Sequence, residues 1–208
     1  MRNKMQFILK LNIIKSLYYS LRFGGRVLVG KGKFYIEGNG TIAFSSKRSC
    51  ILVGIYTTID NPAVITIQNN ARLIVGHNSM IHRGTKIVVH EGGELVIGDS
   101  TYINENARIH CKKKITIGNN CAIAWNTNIM DTDLHTIHYT EKLKNDDKAI
   151  TIGNHVWIGA NTTILKGTTI KDNVIIGANS VIKGTLNSQH IYSGNPIIDK
   201  GTFENWEL

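Results

Sequence analysis

The sequence predicts an all-β solenoid, with short strands wound three to a turn into a triangular prism. Three observations predict it. An aliphatic residue falls at every sixth position at Ile152, Ile158, Ile164, Ile170, Ile176 and Ile182, a period matching neither the helical 3.6 nor the strand alternation of two. The same step recurs upstream at Ile117, Ile123 and Ile129, at Ile97, Ile103 and Ile109, and at Val75, Ile81 and Ile87; a fixed short period marks stacked repeats. Glycine then follows the aliphatic in Ile117-Gly118, Ile152-Gly153, Ile158-Gly159 and Ile176-Gly177, often with Asn or Asp next, as tight corners between flat strands require. Each coil buries its aliphatics against its neighbours, because one coil alone buries too little to stand.

The elements follow in order. Residues 1–25 read as one amphipathic helix: Phe7, Ile8, Leu11, Ile14, Leu17, Tyr18 and Leu21 recur at helical spacing, with Lys4, Lys10, Lys15 and Arg22 between them. Lys10, Asn12 and Lys15 break the apolar run, so it is too short to span a bilayer. It lacks the small-residue cleavage site of a secretory signal. Such a helix either packs on the solenoid end or a subunit neighbour, or touches a membrane surface. Gly24 and Gly25 end it. From Val27 to Val53, short apolar runs between glycines predict irregular first coils or a small β cap. The prism domain covers residues 26–193. The run Lys112-Lys113-Lys114 is an exposed turn bulge, and residues 194–208 cap the last coil.

The net charge of +9 and a pI near 9.5 fit a solvated basic surface, or attraction to acidic sugars, nucleotide phosphates or an anionic membrane. The lysines are scattered without interleaved aromatics, which argues against nucleic acid. Cys50, Cys111 and Cys121 form no close pair. They read as free thiols in a reducing compartment, hence a cytoplasmic protein, with the inner face of the membrane as its outer bound.

The six-residue step breaks once at length, in the loop 130–150, which contains His135 and His138. A polar loop on a rigid rod is a natural place for chemistry. Asp131 and Asp133 lie close to His135; a neighbouring carboxylate or carbonyl fixes an imidazole tautomer and raises its basicity, as a general base needs. On these residues alone, a plain surface histidine stands beside that reading.

The run TIGNHVWIGANTTILKGTTIKDNVIIGANSVIKG, from Thr151 to Gly184, followed by SGNP at Ser193 to Pro196, resembles the hexapeptide-repeat acetyltransferases. It is most similar to the branch of maltose and galactoside O-acetyltransferases and bacterial capsular or cell-surface polysaccharide O-acetyltransferases. The resemblance covers Val75 to Pro196. It implies a left-handed parallel β-helix, acetyl-CoA as co-substrate, a homotrimer with active sites at subunit junctions, and a sugar or polysaccharide acceptor. It makes His135 the catalytic base, although an ungapped count from Ile117 lands on Leu134 and one inserted loop residue restores the match; His138 is held in reserve. Asn104, thirteen residues before Ile117, matches the active-site asparagine. Trp157 matches the tryptophan beside the pantetheine arm. Gly159 or Ala160 would supply a backbone N–H to the oxyanion, and Ala160 and Ala178 match small residues that pair with the pantetheine amides. Lys183 stands where a threonine-lysine pair meets the phosphates, with Lys200 beyond it. Asp131, Asp133 and His138 are expected near the sugar.

Three alternatives stay open. One is N-acetylation of a nucleotide-linked amino sugar, with the same donor. Another is a non-catalytic scaffold, against which Asn104, His135 and Trp157 together argue. The third is a metal enzyme like the carbonic anhydrases of this prism, but the spacing of His77, His82, His90 and His110 does not match their three-histidine set, so no metal is expected.

Overall fold

The computed structural model describes residues 11–30, 34–45, 50–53, 61–135 and 146–207. Among them one helix, Ile13–Phe23, precedes three parallel sheets that form the faces of a prism. The first face stacks Arg26–Val29, Cys50–Val53, Ser79–Ile81, Tyr102–Ile103, Ala122–Ile123, Trp157–Ile158, Ile175–Ile176 and His190–Ser193. The second begins with Phe34–Glu37 and includes Arg108–Cys111, Asn128–Met130, Thr163–Leu165 and Val181–Ile182. The third runs from Thr41–Phe44 to Thr185–Leu186. The chain visits the faces in rotation, one coil per circuit, and the winding is that of a left-handed β-helix.

The six-residue period becomes ladders inside the prism. Ile81, Ile103, Ile123, Ile158 and Ile176 stand in register on the first face. Ile65, Ile87, Ile109, Ile129, Ile164 and Ile182 do so on the second. All are buried, and each fully buried aliphatic contributes about 1.5–3 kcal/mol relative to exposure. Asparagine marks the corners for a backbone reason: Asn78, Asn106, Asn120, Asn126, Asn161, Asn173 and Asn179 all have φ near +57°, from 56° to 58° for all but Asn120 at 55°, the left-handed region asparagine tolerates. Gly118 is there for closeness; a Cβ on it would meet the Gly153 carbonyl oxygen of the next coil at 2.5 Å.

Two expectations change and one is filled in. Residues 26–53 are neither irregular nor a separate cap: Arg26–Val29 and Thr41–Phe44 pair in regular parallel register with the coils above them. The run Lys112-Lys113-Lys114 is exposed at the turn as expected, and its three backbone N–H groups converge on the buried Asp131 carboxylate at 2.7, 2.8 and 2.7 Å. The helix docks by its polar side: Ser16 and Tyr19 are its buried residues. The Ser16 and Ser20 hydroxyls accept from Val29 N (2.9 Å) and Val27 N (3.0 Å) at the open edge of the first strand. An unpaired edge needs hydrogen-bond partners more than it needs apolar cover. Gly24, at φ 65°, ends the helix as expected. Phe7 and Ile8 lie outside the described residues.

Beyond the last coil, Ile198–Thr202 folds back antiparallel on His190–Ser193. The tail then reaches His155. Trp206 stacks on that imidazole with centroids 4.3 Å apart, and its indole N–H donates to the His155 carbonyl at 3.1 Å.

Candidate active site

A groove of about 540 Å³ runs along the edge where the first face turns into the second. Its wall comes from equivalent positions of successive coils. Tyr102, Ala122, Trp157 and Ile175 supply outward residues of the first face, while Asn104, Ala124, Gly159, Ala160, Gly177 and Ala178 supply the corners. Strand alternation turns Ile158 inward and therefore Trp157 outward, 43% exposed. Small corner residues open the trough and let a ligand approach the main chain.

Asn104 is held in one orientation. Its Oδ1 accepts from the Glu105 N–H at 2.8 Å and its carbonyl accepts from the Thr85 hydroxyl at 2.9 Å. Since an N–H only donates, Oδ1 faces it and the Nδ2 donor turns the other way. The Gly159 N–H donates to the Ile176 carbonyl at 2.7 Å in the coil ladder. It is therefore not a free oxyanion donor, and of the two backbone donors expected, Ala160 remains the candidate.

His135 sits elsewhere. It lies past Asn128–Met130, at the edge between the second and third faces, exposed at the exit of the loop, and does not line the groove. The two edges are separated by a full face, roughly 15–20 Å of extended chain. His135 Nδ1 lies 3.1 Å from the Asp133 carbonyl oxygen. A carbonyl only accepts, so this bond puts a proton on Nδ1 and fixes the orientation of the ring. The Asp133 carboxylate holds Lys166 at 2.7 Å, and the Asp131 carbonyl accepts from Lys148 N at 3.0 Å, which ties the two feet of the loop together.

Asp131 is fully buried beneath this loop and occupied by three backbone donors; it anchors the loop and cannot meet a sugar, contrary to expectation. Lys183 is exposed on the same edge as His135, not beside Trp157, so one chain does not bring it to the groove that Trp157 lines. His138 lies outside the described residues.

His90 Nε2 and His110 Nδ1 lie 3.2 Å apart, and no group of three or more metal-ligating side chains occurs among the described residues. Burial pushes the Cys111 thiol up to about 12, with the Asp131 charge adding to it, and the Cys121 thiol up to about 11. Neither is placed to act as a nucleophile.

Sequence reasoning missed Trp125 and Trp206. The chain has three tryptophans, and all three line this groove. Trp125 is 53% exposed at the corner, and Trp206 arrives from the tail to stand 6.0 Å from Trp157. Trp206 stands outside every repeat, so its only signal is a large aromatic, with Phe203 near it, in a short polar tail.

Residues 149–184 match the model of the bacterial transferase hexapeptide (six repeats). The chain is 39% identical over 103 residues to the galactoside O-acetyltransferase of Escherichia coli K12, covering 48% of this chain and 50% of that protein. It is 44% identical over 70 residues to the polysialic acid O-acetyltransferase of Neisseria meningitidis, covering 33% of each. It thus spans half or less of these relatives' length. The crystal structure of the polysialic acid O-acetyltransferase OatWY superposes with a TM-score of 0.68 at 26% identity, over 84% of this chain and 92% of that one. Residues 149–184 thus carry the bacterial transferase hexapeptide repeat, and in repeat and fold the chain is similar to these O-acetyltransferases.

Proposed function

We propose that this protein is an O-acetyltransferase that moves acetyl from acetyl-CoA to a sugar hydroxyl of a bacterial cell-surface polysaccharide or its precursor. The observation that carries the reading is the groove: three tryptophans over a floor of Gly159, Ala160 and Ala178, with Asn104 at one end. An apolar trough with exposed main chain suits the pantetheine arm, whose amides pair with backbone groups. The sugar-modifying relatives support the acceptor class.

In this reading, His135 Nε2 removes the proton from the acceptor hydroxyl as its oxygen attacks the thioester carbonyl. The Asn104 Nδ2 donor or the Ala160 N–H stabilises the oxyanion. The C–S bond then breaks, and coenzyme A leaves as a thiol carrying the proton from the imidazolium. No acyl-enzyme forms and no metal takes part. Because one chain keeps base and groove on different edges, the working unit is a closed homotrimer in which His135 of one protomer faces the groove of its neighbour. Lys183, on the His135 edge, would meet the donor phosphates across the same junction. The protein would act in the cytoplasm, where the donor is made and where free thiols persist.

The test is release of free coenzyme A from acetyl-CoA by the purified protein, with de-O-acetylated polysaccharide fragments in one arm and nucleotide-linked amino sugars in the other. Release dependent on the polysaccharide, and lost in His135→Ala, is expected; a drop of about 10²–10⁴ is the usual worth of a general base. Release only with the amino sugar would convert the reading to N-acetylation. Failure to bind acetyl-CoA would overturn both.

A further inference from the structure

The helix that closes the prism turns its apolar stripe outward. Ile14, Leu17, Tyr18 and Leu21 follow the i, i+3, i+4, i+7 spacing of a single helix face, and with Ile13 they are 56–82% exposed. The opposite side is committed to the prism through Ser16, Tyr19 and Ser20. Nothing in the rest of the described chain covers the stripe.

In the sequence, positive charge is concentrated in the segment that contains this helix. Residues 1–36 contain eight of the 24 Lys and Arg and none of the 15 Asp and Glu. That leaves 16 basic against 15 acidic residues in 37–208, so the first segment carries +8 of the net +9. Lys15, Arg22 and Arg26 belong to the helix or follow directly after it, with Arg22 and Arg26 exposed. Lys15 leans on the Tyr35 ring, 5.6 Å to its centroid, beside the stripe.

We propose that this helix face docks the protein on an anionic membrane surface. An exposed apolar stripe flanked by basic residues is what an interfacial helix presents to acyl chains and acidic headgroups together. A second copy of the chain is a poorer occupant, since it would bring Lys15, Arg22 and Arg26 of one helix end against those of another. The helix lies on the membrane rather than crossing it: no helix among the described residues is long and apolar enough to span. Docked this way, the prism stands with its first coil at the lipid and its groove farther from it.

The experiment is co-sedimentation of the full chain with vesicles of phosphatidylcholine containing about one-third phosphatidylglycerol, against phosphatidylcholine alone, at low and high salt. Binding to the anionic vesicles and its loss in high salt are expected. The double variant Ile14→Glu, Leu17→Glu should bind at least about tenfold more weakly, and Arg26→Gln about fivefold more weakly. All three side chains are exposed, so thermal melting should be unchanged. Absence of binding, equal binding to neutral vesicles, or unaltered binding by the double variant would each overturn the proposal. So would a self-association that the double variant abolishes while the vesicles stay empty, because the occupant would then be a second copy. Turnover is not the readout, so this result is independent of the acetyl-transfer reading.

Discussion

Along one edge of the prism, Trp125, Trp157, Trp206, Ala160 and Ala178 build a nearly uncharged groove. Along the next edge, Asp131, Asp133, His135, Lys166 and Lys183 gather charge around an imidazole. The first edge is made by the repeat itself, since equivalent positions of successive coils supply its wall. The second is made by the one long break in the repeat, pinned at its feet by Asp131 and Asp133. A regular solenoid can present a binding surface along its length, but it needs an interruption to hold a catalytic group at a defined point. In the proposed mechanism neither edge is a whole site: one has the shape for a donor without a base, and the other has the base without the shape.

Variants can separate the two. The largest effect is expected from Asp131→Ala, which leaves three part-buried N–H groups without their acceptor. A fully buried unpaired group costs about 1–3 kcal/mol and these three stay partly hydrated, so chemical denaturation should show a loss of about 1–3 kcal/mol in all, with turnover falling as the His135 loop loses its anchor. Acetyl-CoA affinity of the protein that stays folded should hold. An equal loss of affinity would mean that the two edges are one structural unit.

Trp206→Ala should do the reverse. It removes the tail wall of the groove and its stack on His155, and is expected to weaken coenzyme A binding about tenfold, equivalent to about 1.4 kcal/mol, as titration calorimetry would measure. The environment of His135 should be untouched; a change in its imidazole resonances would show coupling between the edges.

The smallest effect belongs to neither edge. Burial holds His82, His90 and His110 below the ordinary imidazole value of 6.5. As pH falls, the unfolded chain therefore takes up protons first. Stability from these groups is full above about 6.5 and is lost as the pH falls toward their lower folded values. Tm should decline modestly from neutral to mildly acidic pH, and His110→Gln, which also removes the His90–His110 contact, should flatten that slope.

Much of this was legible in the sequence because the repeat obeys a simple rule. Ile103, Ile123, Ile158 and Ile176 must point inward, so Trp157 must point outward, and Asn104 must sit at a corner on the same edge, two coils earlier. What was not legible depends on burial and on the ends of the rod. Asp131 reads as a loop acid, and only the fold shows three lysine amides closing over it. The helix pattern gives an apolar stripe but not its direction; the unpaired edge at Val27 and Val29 decides that by taking Ser16 and Ser20. Trp206 follows no period, and only the returning tail brings it to the groove.

The claim at the centre of this account is that the two edges meet between protomers. It is tested by mixing two inactive variants, His135→Ala and Ala178→Trp, through unfolding and co-refolding. Ala178 is exposed and lines the groove, so the large side chain fills it. If each site takes its base from one protomer and its groove from the next, random mixing restores about one quarter of wild-type turnover. Mixed protein as inactive as either parent would contradict the shared site and require base and groove to act within a single chain.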